Sequence, residues 1–252
     1  MKSGRNIRIL VAEQDIYALQ AIVGYLGWDR RTTVIGGARS IAQVSQALRG
    51  GAGADVLLLD AGLAGSANLL SHLIHEVVSS GPAAPAVVCL GRAPDTYMAR
   101  ACLEAGARAY LVREAVGPSI AHAVDFVLDY VFTVTPDVYP LLLPHLNGKA
   151  SWVAVLPERR VHSRLTERVD QALRLCVVEG MPAELAAQEM GVSVSTVRSY
   201  IKEGYRILES CDETLYPDYV SPVERAFLRY TALSSAAPLS DARPASVMVC
   251  PA

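Results

Sequence analysis

The sequence predicts a doubly wound, five-stranded parallel α/β sheet followed by an all-α domain. Three observations lead there. Short β-branched runs alternate with amphipathic stretches five times in the first half of the chain. The runs 56–59 and 87–90 are apolar throughout, as strands covered on both faces should be. Beyond residue 164 the apolar period becomes helical, broken at Gly180-Met181-Pro182 and again at Gly191-Val192-Ser193.

Residues 7–12 read as a strand and 16–26 as a helix, with Leu19, Ile22, Val23 and Leu26 as its apolar residues. The unit then repeats as strand 32–35 with helix 41–48, strand 55–59 with helix 69–78, strand 86–90 with helix 96–105, and strand 109–112 with helix 120–130. The expected domains are 1–131, a linker over 132–160 rich in proline (Pro136, Pro140, Pro144, Pro157), a helical domain over 161–233, and an unstructured tail over 234–252. A short apolar helix is expected within 138–146. In the helical domain the expected helices are 167–178, 183–190 and 194–208, with a further one at 221–233 that opens on Pro222. Thr166 and Ser193 are the expected N-caps and Gly191 a left-handed C-cap.

Composition excludes several classes. The chain has 252 residues, is 52% hydrophobic and carries a net charge of −2, so any surface that attracts nucleic acid must be local. Cys89, Cys102, Cys176, Cys211 and Cys250 are scattered with no CxxC pair, which predicts reduced thiols in the cytoplasm and no zinc site. The N-terminus has no signal-peptide core, and no apolar run is long enough to span a bilayer. His72, His75, His122, His145 and His162 form no metal motif. There is no phosphate-cradling glycine loop after the first strand and no nucleophile elbow, so neither an enzyme nor a cofactor is expected.

Two helices joined by a tight glycine turn are the elements of a helix-turn-helix. On helix 194–208, Val197, Ile201 and Leu208 share one stripe. Ser195, Arg198, Ser199, Lys202 and Arg206 lie opposite, with Thr196 and Glu203 at the flank. Three cations and small hydroxyls suit a major groove. Over 158–210 eight basic residues face eight acids, so affinity for double-stranded DNA must come from placement and from pairing two copies. A homodimer is therefore expected, with helices 120–130 and 221–233 as its candidate surfaces. The former carries Val124, Phe126, Val127 and Tyr130.

The string Leu165-Thr-Glu-Arg…Leu173-Arg-Leu…Glu179-Gly-Met…Leu185-Ala-Ala…Glu189-Met-Gly-Val-Ser-Val-Ser-Thr-Val-Arg-Ser-Tyr-Ile resembles the LuxR-type helix-turn-helix of NarL/FixJ-family response regulators. That motif runs L-T-x-R-E…V-L-x-L…G…E-I-A…L-G-I-S-x-x-T-V-K-x-H. Val169 stands where the family usually has Glu, Tyr200 replaces a frequent His, and Gly204 replaces a core Ile. The first half resembles the family's flavodoxin-like receiver domain. Ile9-Leu-Val-Ala-Glu-Gln-Asp matches its acidic turn, Asp55-Val-Leu-Leu-Leu-Asp-Ala-Gly-Leu-Ala-Gly its acceptor segment, and Glu104-Ala-Gly-Ala-Arg-Ala-Tyr-Leu-Val-Arg its last strand.

The resemblance implies a DNA-binding transcription regulator with Asp60 at the phosphoacceptor position. It also exposes what is missing. Phosphotransfer needs a Mg²⁺ held by carboxylates, a hydroxyl on the fourth strand and a Lys on the fifth. Glu13 and Asp15 remain, but Gln14 replaces the principal metal-binding Asp, Gly91 the hydroxyl residue, Arg113 the Lys and Ala64 the usual Pro. The pocket of Glu13, Gln14, Asp15, Asp60, Gly91 and Arg113 thus reads as vestigial, and Arg113 is expected to pair with Asp60 or Glu13. The first half then serves as an interaction or sensing module for a small-molecule or protein effector. The alternative is a conventional switch in which Glu13, Asp15 and Asp60 hold the metal and Asp60 takes the phosphate.

Overall fold

The computed structural model describes residues 6–234 apart from 52, 149, 213 and 215. The tail expected over 234–252 lies outside them except for its first residue, and Cys250 lies outside them too. The chain divides into one unit up to Glu158 and a second from Arg159 to Ser234.

The first unit alternates β1 (Ile7–Ala12), α1 (Ile16–Gly27), β2 (Thr32–Ala38), α2 (Ile41–Arg49), β3 (Val56–Asp60), α3 (Ala67–Val78), β4 (Ala86–Gly91), α4 (Thr96–Glu104) and β5 (Ala109–Val112). It continues with α5 (Arg113–Val116), α6 (Ile120–Val127), β6 (Phe132–Val134), α7 (Tyr139–Leu142) and β7 (Val153–Val155). All strand pairs are parallel, in the order β2-β1-β3-β4-β5-β6-β7. The sheet therefore has seven strands rather than the expected five, and the stretch expected as a linker supplies the last two. Burial is the reason: Phe132, Val134, Val153 and Ala154 are fully enclosed, and Val155 is 4% exposed. Thr135 adds a tie, its hydroxyl accepting the Val112 N–H at 3.2 Å. Three of the four prolines that argued for a linker sit at turns or helix starts, Pro136 in the turn after β6. Pro140 lies in the first turn of α7, and Pro144 in the 3₁₀ turn Leu143–His145.

Helix starts are set by short polar caps. Asp15, Ser40, Ser66 and Asp95 accept backbone N–H groups at the heads of α1, α2, α3 and α4. Strand register brings four chain positions to one end of the sheet. Ala12 pairs with Leu59, Asp60 with Leu90 and Gly91 with Val112, so Glu13, Asp60, Gly91 and Arg113 emerge side by side. On helix α6, expected with residues to 130 as a dimer surface, Val124 and Val127 are fully buried, while Phe126 and Tyr130 are half-buried with ring centroids 4.8 Å apart.

The second unit contains α8 (Glu167–Leu173), which continues as a π-helical turn over Arg174–Val178, then α9 (Ala183–Met190), α10 (Val194–Cys211) and α11 (Pro222–Tyr230). Gly191 adopts φ 65° and turns the chain between α9 and α10. Ser193 Oγ accepts the Thr196 N–H at 3.1 Å. Thr166 holds the N-cap position of α8 in extended backbone without a side-chain bond. Gly204 in mid-α10 has a packing reason. A Cβ there would lie 2.7 Å from Cδ1 of fully buried Leu173, so glycine lets α10 close on α8. Helix α11 is fixed by a capping box, Ser221 and Glu224 each accepting the other's backbone N–H. It packs Ala226, Phe227 and Tyr230 against Val169, Leu173 and Leu208, and the Tyr230 hydroxyl donates to Asp170 at 2.8 Å.

Candidate nucleic-acid interface and carboxylate pocket

Helix α10 presents two faces. Val197, Gly204, Ile207 and Leu208 are buried, while Ser195, Arg198, Ser199, Lys202 and Arg206 are exposed along one stripe. Thr196 is half-buried, its hydroxyl 2.7 Å from that of Ser193. Ser199 donates its hydroxyl to the Ser195 carbonyl at 3.0 Å, which leaves its lone pairs outward. The turn at Gly191 sets α10 on one flank of α9, and Glu184 in the first turn of α9 reaches Arg198 at 3.2 Å. Arg206 pairs with Glu203 through two donors, Nε at 2.9 Å and Nη2 at 2.6 Å. That hydrogen bonding holds the Glu203 carboxyl below the usual carboxylate range and raises Arg206. Lys202 has no ion-pair partner among the described residues. Charge balance over 158–210 had shown neutrality but not which carboxylates do the neutralising. Helical spacing marks Glu203 and Arg206 (i, i+3), whereas Glu184 and Arg198 meet only through the turn.

At the end of the sheet, Glu13 (1% exposed) and Asp60 (2% exposed) flank the guanidinium of Arg113. Arg113 Nη2 donates to Glu13 Oε2 at 2.5 Å and to Asp60 Oδ1 at 3.1 Å. Each carboxylate also accepts one backbone N–H, Glu13 from Asp15 at 2.9 Å and Asp60 from Gly62 at 3.2 Å. The remaining positions do not join them. Asp15 is exposed and spends Oδ1 on the Tyr17 and Ala18 N–H groups, which hold it below the usual carboxylate range. Gln14 is exposed, and its carbonyl accepts Arg39 Nε at 3.2 Å. Two carboxylates already bridged by one guanidinium, with the third turned away, do not fit a Mg²⁺ site. Among the described residues no other group of His, Cys, Asp or Glu gathers for a metal either.

Sequence reasoning missed one member of this pocket. The Tyr110 hydroxyl and ring occupy the space that a side chain on Gly91 would need. That hydroxyl donates to the Ala93 carbonyl at 3.0 Å, and burial pushes the phenol well up. The available signal was its position three residues before Arg113, on a strand beside β4.

A cleft of about 650 Å³ in the first unit lies elsewhere. Ala86, Arg108, Val131 and Trp152 line it, each at the entry to a strand, so it opens at the opposite end of the sheet from Asp60. No helix among the described residues is long and apolar enough to cross a membrane.

Residues 158–208 match the family model of sigma-70 region 4. The chain is similar to RcsB of Salmonella enterica serovar Typhimurium bound to promoter rprA with phosphomimetic beryllium trifluoride, at 16% identity over 91% of this chain and 100% of that one, TM-score 0.45. It is also similar to a two-component response regulator RcsB–DNA complex, at 17% identity over 90% and 100% of the two chains, TM-score 0.46. The isolated REC domain of the Salmonella protein matches 55% of this chain over 99% of its own length, at 17% identity and TM-score 0.47. No curated protein matches the chain.

Proposed function

We propose that this chain is a cytoplasmic transcription regulator that binds double-stranded DNA through α10 as a homodimer, and that it works without phosphorylation of Asp60. One observation carries the DNA-binding reading. The second helix of a glycine-turned helix pair exposes Ser195, Arg198, Ser199, Lys202 and Arg206 on the side away from its core. The match of 158–208 to sigma-70 region 4 falls on these same helices. A neutral unit with one such stripe has few contacts to offer, so two half-sites about 34 Å apart supply the rest. The outer side of α11, where Val223 is 49% exposed, remains available for pairing.

The pocket supports the second part. Arg113 already neutralises Glu13 and Asp60, and Tyr110 fills the place of a fourth-strand side chain. A phosphoryl group on Asp60 would meet a guanidinium already shared between two carboxylates. Control then passes to abundance or to an effector of the first unit, and the protein is a binding protein rather than an enzyme. The test compares wild type, Asp60→Asn and Arg198→Ala/Lys202→Ala on duplex DNA at one salt concentration. Asp60→Asn should bind as wild type does, with or without acetyl phosphate, and the double variant should bind far more weakly. Donor-dependent activation lost in Asp60→Asn would restore the conventional switch.

A further inference from the structure

We propose that Glu203 masks Arg206 while Glu184 steers Arg198, so that Arg198 and Lys202 are the cations α10 offers first to DNA. This rests on the DNA-binding reading above and assigns roles to two acids within it. The three cations of the stripe are alike in sequence but not in availability. A guanidinium has five N–H donors in a planar fork, and it grips a phosphate or a guanine edge with two neighbouring ones. Arg206 has committed Nε and Nη2, a whole edge, to Glu203. Both residues stand one turn apart on the same helix, so the pair forms wherever α10 goes. Hydrogen bonding to Arg206 keeps Glu203 anionic, which sustains the mask at neutral pH.

Arg198 is held differently. A single bond of 3.2 Å ties Nη2 to Glu184 Oε1 on α9 and leaves the other N–H groups uncommitted. Such a contact fixes the direction of the side chain and spends one of its five N–H groups, where Arg206 spends two. Glu184 is well placed for this, because an acid in the first turn of a helix is favoured by the helix dipole. Lys202 lies between the two arginines on the stripe and has no ion-pair partner among the described residues.

The two acids therefore make separable predictions. Removing the charge of Glu203 frees a cation of no fixed direction, which gains phosphate contact on any duplex. Removing that of Glu184 loosens a directed cation, which lowers discrimination between duplexes. The full chain would be used to recover duplexes from random-sequence DNA. A recovered duplex and a scrambled one of equal length would then be titrated by fluorescence anisotropy across a KCl series. Glu203→Gln should tighten both duplexes by about five- to tenfold near 0.1 M salt and steepen the log–log salt slope by about 0.9, the increment for one phosphate contact. Glu203→Gln/Arg206→Gln should return to the wild-type slope, because the gain runs through Arg206. Glu184→Gln should cut the ratio of recovered to scrambled affinity by roughly threefold or more, within the range of one loosened base contact. Wild-type affinity and slope in Glu203→Gln, or a gain that survives loss of Arg206, overturns the mask. An unchanged ratio in Glu184→Gln overturns the steering. If the full chain recovers no duplex, the DNA-binding reading itself falls, and both roles with it.

Discussion

Replacing Arg113 with Ala tests the pocket most directly. The substitution removes one guanidinium and leaves two carboxylates, 1% and 2% exposed, each with a single backbone N–H. Breaking a buried ion pair from one side costs about 3–5 kcal/mol, because the partner is left charged and unpaired. Arg113 itself is 27% exposed, so water reaches the mouth of the pocket and the lower end applies, about 3 kcal/mol. With a urea m-value of about 2 kcal/mol/M, the unfolding midpoint should fall by roughly 1.5 M. Both tryptophans, Trp28 and Trp152, belong to the first unit, so intrinsic fluorescence reports its unfolding. The diagnostic result is a change of sign. Asp60→Asn should destabilise the wild type, where it removes a partner of Arg113. In the Arg113→Ala background it should stabilise, because it removes an uncompensated charge. Arg113→Lys should fall between, since an ammonium keeps the charge but must reach both acids from a shorter stem than the one that carries Nη2. If Arg113→Ala unfolds within about 0.5 kcal/mol of wild type, or Asp60→Asn has the same sign in both backgrounds, Arg113 does not hold these carboxylates together.

The other predictions concern stability, pH and the metal. Gly204→Ala should destabilise the second unit by up to about 2 kcal/mol, because overpacking against Leu173 of about 1–3 kcal/mol exceeds a helix-propensity gain of about 1 kcal/mol; a rise in the melting temperature followed by circular dichroism would contradict the close α8–α10 approach. Burial, then the bond to Asp170, pushes the Tyr230 phenol up to about 12, whereas an unfolded Tyr titrates near 10. Its contribution is therefore complete below pH 10 and lost as pH rises towards 12, so the stability difference between wild type and Tyr230→Phe should shrink across that window in urea titrations. Wild type should show no shift in melting temperature with millimolar Mg²⁺, whereas a concentration-dependent rise would mean that the carboxylate pocket binds it.

Much of this was legible in the sequence, for physical reasons that differ by element. The bounds of β1, β5 and α9 were read to the residue, because polar or charged residues flank the two strands and Pro182 and Gly191 flank the helix. The turn at Gly191 and the cap at Ser193 were legible because each is a local backbone demand met by one residue type. β6 and β7 were not, since three residues carry no period and four prolines argued for a linker. Their strand character is imposed by the neighbouring sheet edge, a non-local cause. The resemblance, which sets Arg113 at the family's Lys position, pointed to a pairing with Asp60 or Glu13, and Arg113 reaches both. Tyr110 filling the room above Gly91 was not foreseen, because absence of a side chain at one position says nothing about which neighbour moves in. The apolar surplus of α6 suggested a dimer face. Val124 and Val127 go to the core, whereas Phe126 and Tyr130 stay half-buried.

The second unit opens and closes at one spot. Arg159 bridges Leu233 in antiparallel fashion, and the Arg160 N–H donates to the Ala232 carbonyl at 2.8 Å. The four helices described thus hang from a single antiparallel bridge, with Arg159 and Leu233 side by side. A module with this geometry can be spliced into an exposed loop of an unrelated host without stretching either junction. It also sets where a shorter version can be cut. A fragment ending at α10 would lose the Leu233 rung, the capping box of α11 and the cover over Val169 and Leu173. A portable version of the helix-turn-helix must therefore carry its chain from Arg159 through to Leu233.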